Sequence, residues 1–159
     1  MIRVLFVCLG NICRSPTAEG MFRRLLDESG LADRVEVDSC GVGPWHVGEA
    51  PDPRARRAAA RRGLDIDGLR GRQLEAADFE RFDYLLAMDE DNLAALQAQC
   101  PPECQAHIGL FLAFAGLPDT SVPDPYFGGE QGFEDMMDLL EAASRGLLDS
   151  VRERLEASS

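Results

Sequence analysis

The chain has 159 residues and a formal net charge of −12, and all 16 of its basic residues are arginines. So acidic a chain argues against nucleic acid or an anionic membrane as its main partner. The absence of lysine argues against a Walker-type phosphate loop and against Schiff-base chemistry. No apolar run approaches the roughly 20 residues of a membrane helix.

Predicted strands and helices alternate along the chain. Apolar runs predict strands at residues 2–8, 35–38, 82–88 and 107–115. Helical spacing of apolar residues predicts helices at 15–29, 54–62, 90–99 and from 133 onward, with loops rich in glycine and proline at 41–53 and 116–132. Such alternation is typical of an α/β fold. We therefore expect a single three-layer domain over residues 1–159, with a central, mainly parallel four-stranded sheet and helices on both faces.

The junction between the first strand and the first helix carries a candidate nucleophile. The strand ends in Cys8, and Arg14 follows after five intervening residues, just before Ser15 as N-cap and Pro16 as first helical residue. Gly10 tolerates unusual backbone angles, and so does Asn11. The helix N-terminus and the Arg14 guanidinium would lower the pKa of Cys8 and bind a tetrahedral dianion. The pattern predicts an anion-binding loop at the C-terminal end of the first strand, with a thiolate at its base.

A candidate proton donor lies far along the chain. Asp124 stands between Pro123 and Pro125, which stiffen its position. Apolar and aromatic neighbours would raise its pKa and keep it protonated. A thiolate that attacks phosphorus needs such an acid to protonate the leaving group, and the same carboxylate can later activate water.

The chain resembles the low-molecular-weight protein-tyrosine phosphatases along essentially its whole length. Residues 7–16 match the family's signature loop, and Asp124, Pro125 and Tyr126 match its acid loop; Trp45 and residues 87–92 are weaker matches. The resemblance implies phosphotyrosine hydrolysis through a cysteinyl-phosphate intermediate, without a cofactor or metal. Shorter phosphoserine would not reach the sulfur in a deep slot.

The resemblance also implies a role for each site residue. It makes Cys8 the nucleophile, Arg14 the phosphate-binding residue and Asp124 the general acid and base. Ser15 would hydrogen-bond the Cys8 sulfur, and Asn11 would hold the loop. The expected apolar walls of the substrate slot are Trp45 and Tyr126, with contributions from Leu9 and Phe127.

Three further positions bear on regulation and loop support. By the resemblance, Cys13 can form a disulfide with Cys8 and protect it from irreversible oxidation. Leu69 stands where several relatives have a histidine linked to the loop's hydrogen-bond network, so loop support is expected to differ here. Phe127 stands where some relatives have a second tyrosine, so phosphorylation at that position is not available.

Two alternatives remain beside the phosphatase. A thioredoxin-coupled arsenate reductase shares the fold and loop but needs relay cysteines near the central strand, and residues 82–99 contain none. A phosphoryl carrier or a phosphotyrosine-binding regulator would not need Asp124. Cys100, Cys104 and His107 form only a loose cluster, for which packing or exposed thiols are favoured over a metal site. We expect a cytoplasmic protein, monomeric or weakly dimeric, whose partner is a phosphotyrosine-containing protein.

Overall fold

The computed structural model describes residues 1–125 and 129–157, and its centre is a four-stranded parallel sheet. The strands are β1 (Ile2–Cys8), β2 (Val35–Gly41), β3 (Tyr84–Ala87) and β4 (His107–Leu110), in the order β2-β1-β3-β4. All three pairings are parallel, so the carboxyl ends of β1, β2 and β3 meet at one edge. This arrangement confirms the predicted fold class, and it places Cys8 where parallel sheets bind their ligands.

Helices cover both faces of the sheet. They are α1 (Arg14–Glu28), α2 (Pro53–Arg61), α3 (Asp78–Arg81), α4 (Glu90–Gln99) and α5 (Glu130–Ala157). Val4, Phe6 and Cys8 of β1 face the core shared with α1, α2 and α5, while alternate residues face the core shared with α3 and α4. Cys8 therefore points to the face on which α1 packs. In the described part of the chain, no helix is both long and apolar enough to cross a membrane.

Several predicted boundaries were wrong. The last strand ends at Leu110, and the apolar residues Phe111–Ala115 form a 3-10 helix that ends at Gly116, whose φ is 79°. Short apolar runs do not distinguish a strand from a buried helical turn, which explains this error. The short helix α3 was not predicted, and α5 begins at Glu130 rather than at residue 133.

Ser15 is not the N-cap of α1. The cap position is Cys13, without a side-chain cap, and Ser15 is the second helical residue. Pro16 is tolerated because backbone N–H groups in the first turn have no intrahelical partner. This shift removes the Ser15 hydroxyl from capping and turns it toward Cys8.

Candidate active site

The loop between β1 and α1 is held in shape by Asn11. Among the described residues it is the only non-glycine with a positive φ, at 60°. Its side chain is buried and fully bonded: Nδ2 donates to Ser15 Oγ at 2.8 Å and to Ser39 Oγ at 3.0 Å, while Oδ1 accepts from the Arg72 N–H at 3.0 Å. These bonds stabilise the left-handed conformation, which costs a non-glycine residue free energy.

The Cys8 sulfur lies at the base of this loop with two donors aimed at it. The Asn11 N–H donates to Sγ at 3.3 Å, and Ser15 Oγ lies 3.0 Å from Sγ. Because Ser15 Oγ already accepts from Asn11, its own proton is available to the sulfur, with the Cys40 carbonyl at 3.3 Å as its other acceptor. The site can therefore stabilise a thiolate by hydrogen bonds.

A buried carboxylate ends this chain of hydrogen bonds. Ser39 Oγ donates to Glu19 Oε1 at 2.7 Å, and Arg23 donates to Glu19 Oε2 at 2.8 and 2.9 Å. Burial raises the pKa of Glu19, although the bonds from Ser39 and Arg23 oppose the shift. Glu19 is the terminal acceptor and sets the direction of these bonds. The Ser39 hydroxyl donates to Glu19, Asn11 donates to the oxygens of both serines, and the Ser15 hydroxyl is left to donate to the Cys8 sulfur.

Leu69 takes no part in these hydrogen bonds. It is partly buried and packs against the large core cluster. The loop is supported by Ser39, which reaches Glu19 directly, and by Asn11, which is tied to the Arg72 backbone. That this support differs from the histidine-linked arrangement of some relatives stays a prediction.

Arg14 is buried and anchored on one side. Its Nη1 donates to Asp89 Oδ2 at 2.7 Å and to the Val122 carbonyl at 3.0 Å, while Nη2 lies 3.7 Å from Asp124 Oδ2. Burial, the largest influence, lowers the pKa of Arg14, but the Cys8 charge, the hydrogen bond to Asp89 and the charges of both aspartates raise it overall. The guanidinium is a fixed positive charge that faces Cys8 and Asp124.

These residues surround an open cleft of about 330 Å³. Leu9 and Trp45 are exposed around it, at 46% and 65%, whereas Cys13 is buried. Burial raises the pKa of the Cys13 thiol well above its usual value, and the charge of Asp52 adds to the shift. The residues that line the cleft are Cys8, Leu9, Gly10, Ile12, Cys13, Arg14, Trp45, His46 and Asp124.

Two of the predicted slot residues, Tyr126 and Phe127, lie outside the described residues. The aromatic surroundings expected for Asp124 depend on them. The Asp124 side chain is 39% exposed, and its carboxylate contacts the Arg14 guanidinium.

Sequence reasoning assigned no role to Asp89, Ser39 or Glu19. Asp89 had a detectable signal, because it comes two residues after the end of β3, the neighbour of β1, and stands at the N-cap of α4. Glu19 lies on the buried stripe of α1, where an unexplained carboxylate indicates a partner. Ser39 gave no signal of its own.

Comparison with known proteins agrees with this site, in which a cysteine ends a strand and an arginine follows it after a short loop. The family model described as low molecular weight phosphotyrosine protein phosphatase matches residues 3–157. The chain belongs to this family. The curated relatives that it matches are named protein-tyrosine phosphatases, so the protein is a phosphoric monoester hydrolase, and its Cys8 and Arg14 fit a cysteine-nucleophile mechanism.

Individual relatives are similar to this chain over nearly the whole length of both proteins. A low molecular weight protein-tyrosine-phosphatase of Streptomyces coelicolor is 46% identical, over 97% of this chain and 96% of its own. The crystal structure of a protein tyrosine phosphatase from Entamoeba histolytica has a TM-score of 0.91 at 38% identity, covering 96% of this chain and 98% of that one. The structure of DARP, a Drosophila arginine phosphatase, has a TM-score of 0.87 at 34% identity, covering 95% and 98%.

The cysteine arrangement of this phosphatase does not suit an arsenate reductase relay. Cys100 and Cys104 follow the C-terminal end of α4, which begins at the active-site edge beside Asp89 and runs away from it. Ten helical residues place them about 15 Å along that axis from the loop. A thiol–disulfide relay requires direct sulfur-to-sulfur attack, which this separation does not allow.

Proposed function

We propose that this phosphatase transfers the phosphoryl group of phosphotyrosine to Cys8 while Asp124 protonates the leaving phenolate. The observation that carries the proposal is the placement of Asp124 Oδ2 3.7 Å from Arg14 Nη2, at the rim of the cleft that has Cys8 at its base. Arg14 and the loop N–H groups stabilise the equatorial oxygens in the transition state. Asp124, on the rim, meets the leaving oxygen on the side opposite the attacking sulfur.

The second half of the reaction uses the same groups in reverse. Asp124, now a carboxylate, removes a proton from the water that attacks the phosphocysteine. Cys8 then leaves as a thiolate, which receives hydrogen bonds from Ser15 and from the Asn11 backbone. Asn11 keeps its strained conformation throughout and is a positioning residue.

A flat aryl phosphate suits the walls of the cleft. Leu9 and Ile12 are apolar, and Trp45 offers an exposed ring beside them. Tyr126 and Phe127 complete the slot in this proposal. A phosphoarginine substrate, the kind that the name of the Drosophila relative indicates, carries a cationic guanidinium, and these apolar walls favour a phenyl ring over it.

Cys13, the second cysteine of the loop, protects Cys8 from irreversible oxidation. Cys13 remains a thiol because its pKa is raised, so it does not compete with Cys8 as nucleophile. If peroxide converts Cys8 to a sulfenic acid, the Cys13 thiol condenses with it and releases water, which yields a reducible disulfide. Five free cysteines are typical of a reducing compartment, so we place the protein in the cytoplasm, as a monomer or weak dimer.

The test is hydrolysis of matched phosphopeptides. Purified protein should release phosphate from a phosphotyrosine peptide and p-nitrophenol from p-nitrophenyl phosphate, and Cys8→Ser should abolish both. Phosphoserine and phosphoarginine versions of the same peptide serve as controls. Equal kcat/KM on either control peptide would overturn the aryl assignment, and burst kinetics with rapid quenching would reveal the phosphocysteine.

A further inference from the structure

The loop between α4 and β4 carries two cysteines that the phosphatase reaction does not use. The segment is Cys100-Pro101-Pro102-Glu103-Cys104, and both thiols are free and half-buried. They pack against the cluster shared by α3, α4 and the sheet. In the described residues no group of three or more potential ligands gathers here or elsewhere, so the pair stands without the set that a metal ion requires.

The backbone of this loop folds the second cysteine back toward the first. The Cys104 N–H donates to the Pro101 carbonyl at 3.1 Å, which closes a β-turn whose ends lie within about 7 Å. Cys100 immediately precedes that turn. The two prolines fix their φ angles, so the folded-back shape is present in advance.

The two thiols influence each other and reach different surroundings. Partial burial raises the pKa of Cys100, and a hydrogen bond with Cys104 and the charges of Cys104 and Glu103 raise it further. The Cys104 thiol donates to the Phe79 carbonyl at 3.3 Å and lines a surface pocket together with Phe82. An oxidant in solution can reach Cys104 through this pocket.

We propose that Cys100 and Cys104 form a second redox site, a dithiol that closes reversibly to a disulfide independently of the active site. The oxidant is a peroxide: the Cys104 thiolate attacks one peroxide oxygen, the O–O bond breaks, and a sulfenic acid forms. The Cys100 thiolate then attacks that sulfur, and water leaves. Two thiols lose two electrons and two protons, and hydrogen peroxide is reduced to two waters.

This site is distant from the catalytic machinery. The disulfide would close the loop at the end of the sheet opposite Cys8, beyond the C-terminal end of α4. Oxidation here should leave the phosphatase activity unchanged. Because the raised pKa of Cys100 keeps its thiolate scarce, closure should be slower than inactivation at Cys8 and should accelerate with rising pH.

Glu103 makes the test direct, because it lies between the two cysteines. A protease specific for glutamate cuts after Glu90, Glu103 and Glu130, so it separates peptide 91–103 from peptide 104–130. The full-length protein is treated with hydrogen peroxide, free thiols are alkylated under denaturing conditions, and the digest is analysed by mass spectrometry without reductant. The expected product is the two peptides joined, lighter than their sum by two hydrogen atoms and separated again by dithiothreitol.

Three controls keep the outcome decisive. Cys100→Ser and Cys104→Ser should each remove the joined peptides while retaining wild-type kcat on p-nitrophenyl phosphate, and Cys40 should remain unmodified because it is buried. The same yield at tenfold dilution establishes an intramolecular bond. The proposal would be overturned if both cysteines were still free thiols after peroxide treatment continued well beyond the full oxidation of Cys8. Recovery of both as sulfinic acids, or joined peptides only in a covalent dimer, would overturn it as well.

Discussion

The buried carboxylate of Glu19 accepts a hydrogen bond from the Ser39 hydroxyl at 2.7 Å, and through Asn11 and Ser15 this contact is connected to the Cys8 sulfur. The nucleophile is thus supported by a residue of α1 that lies about one helical turn after Ser15. Because Glu19 accepts the Ser39 proton, the direction of this hydrogen-bond chain depends on Glu19.

The first prediction concerns Glu19→Gln. An amide can donate as well as accept, so it no longer fixes the direction of the Ser39 hydroxyl, and Arg23 loses its charged partner. We expect kcat on p-nitrophenyl phosphate to fall about tenfold and the free energy of unfolding to fall by about 1–3 kcal/mol, the usual cost of an unsatisfied buried partner. Urea unfolding and steady-state kinetics provide both measurements.

The matched control is Glu28→Gln, an exposed glutamate on the same helix. The pH dependence gives a second readout. The folded pKa of Glu19 is raised, so its stabilising contribution is complete below its unfolded pKa and is lost as pH rises through the folded value. The stability of wild type relative to Glu19→Gln should therefore decline from pH 4 toward neutrality, and a constant difference would contradict the assignment.

The second prediction concerns Asp89→Asn. The amide oxygen can still accept from the Asn92 N–H and cap α4, but the charge that anchors Arg14 Nη1 is removed. We expect KM for p-nitrophenyl phosphate to rise and kcat to fall, each by about threefold to tenfold, because a misplaced guanidinium weakens phosphate binding and transition-state stabilisation. Steady-state kinetics and inhibition by inorganic phosphate measure the two effects.

Asp91→Asn is the control, since it removes an exposed acid from the first turn of α4 without touching Arg14. If the kinetics were unchanged in both variants, Asp89 would not be a residue that positions Arg14.

The third prediction concerns Asp124→Asn. Without a proton donor, the rate of the first step should depend strongly on the leaving group. We expect a loss of about 10²–10⁴-fold with phenyl phosphate and a smaller loss with p-nitrophenyl phosphate, whose leaving group departs unprotonated. A series of aryl phosphates of graded leaving-group pKa measures the slope, with the exposed Asp119→Asn as control.

The fourth prediction concerns the wall of the cleft. A Cβ added to Gly43 would lie 1.7 Å from Trp45 Cζ3, so Gly43→Ala must displace the indole ring. If Trp45 contacts the substrate, Gly43→Ala and Trp45→Ala should raise KM for aryl phosphates by similar factors of about 3–10, while inhibition by inorganic phosphate stays constant. Val47→Ala, an exposed apolar residue of the same loop, is the control.

The fifth prediction concerns Cys13→Ser. After brief peroxide treatment, wild type should recover most of its activity with dithiothreitol, whereas the variant should lose it irreversibly, because Cys8 then has no thiol with which to condense. If Cys13→Ser recovered as much activity as wild type, Cys13 would not protect Cys8. Cys104→Ser should recover like wild type, which separates this disulfide from the one proposed between α4 and β4.

The sequence by itself determined the parts of the molecule that local patterns encode. The apolar run of β1 and the spacing of α1 set their ends to within a residue, and the loop between them identified Cys8 and Arg14 because nucleophile and cation lie in one short segment. Asp124 was identified through its proline neighbours. Residues 111–115 were assigned wrongly, since an apolar run alone does not distinguish a strand from a 3-10 turn.

Only the tertiary structure decided how that loop is supported. Asp89 reaches Arg14 because β3 pairs with β1, and Ser39 reaches Asn11 because β2 pairs on the other side. Glu19 meets Ser39 across the packing of α1 on β2, and the turn after α4 brings Cys104 back toward Cys100. Strand register and helix packing set the distance between the residues of each contact. The residue type therefore indicates only that a side chain can form a hydrogen bond, whereas the fold determines its partner.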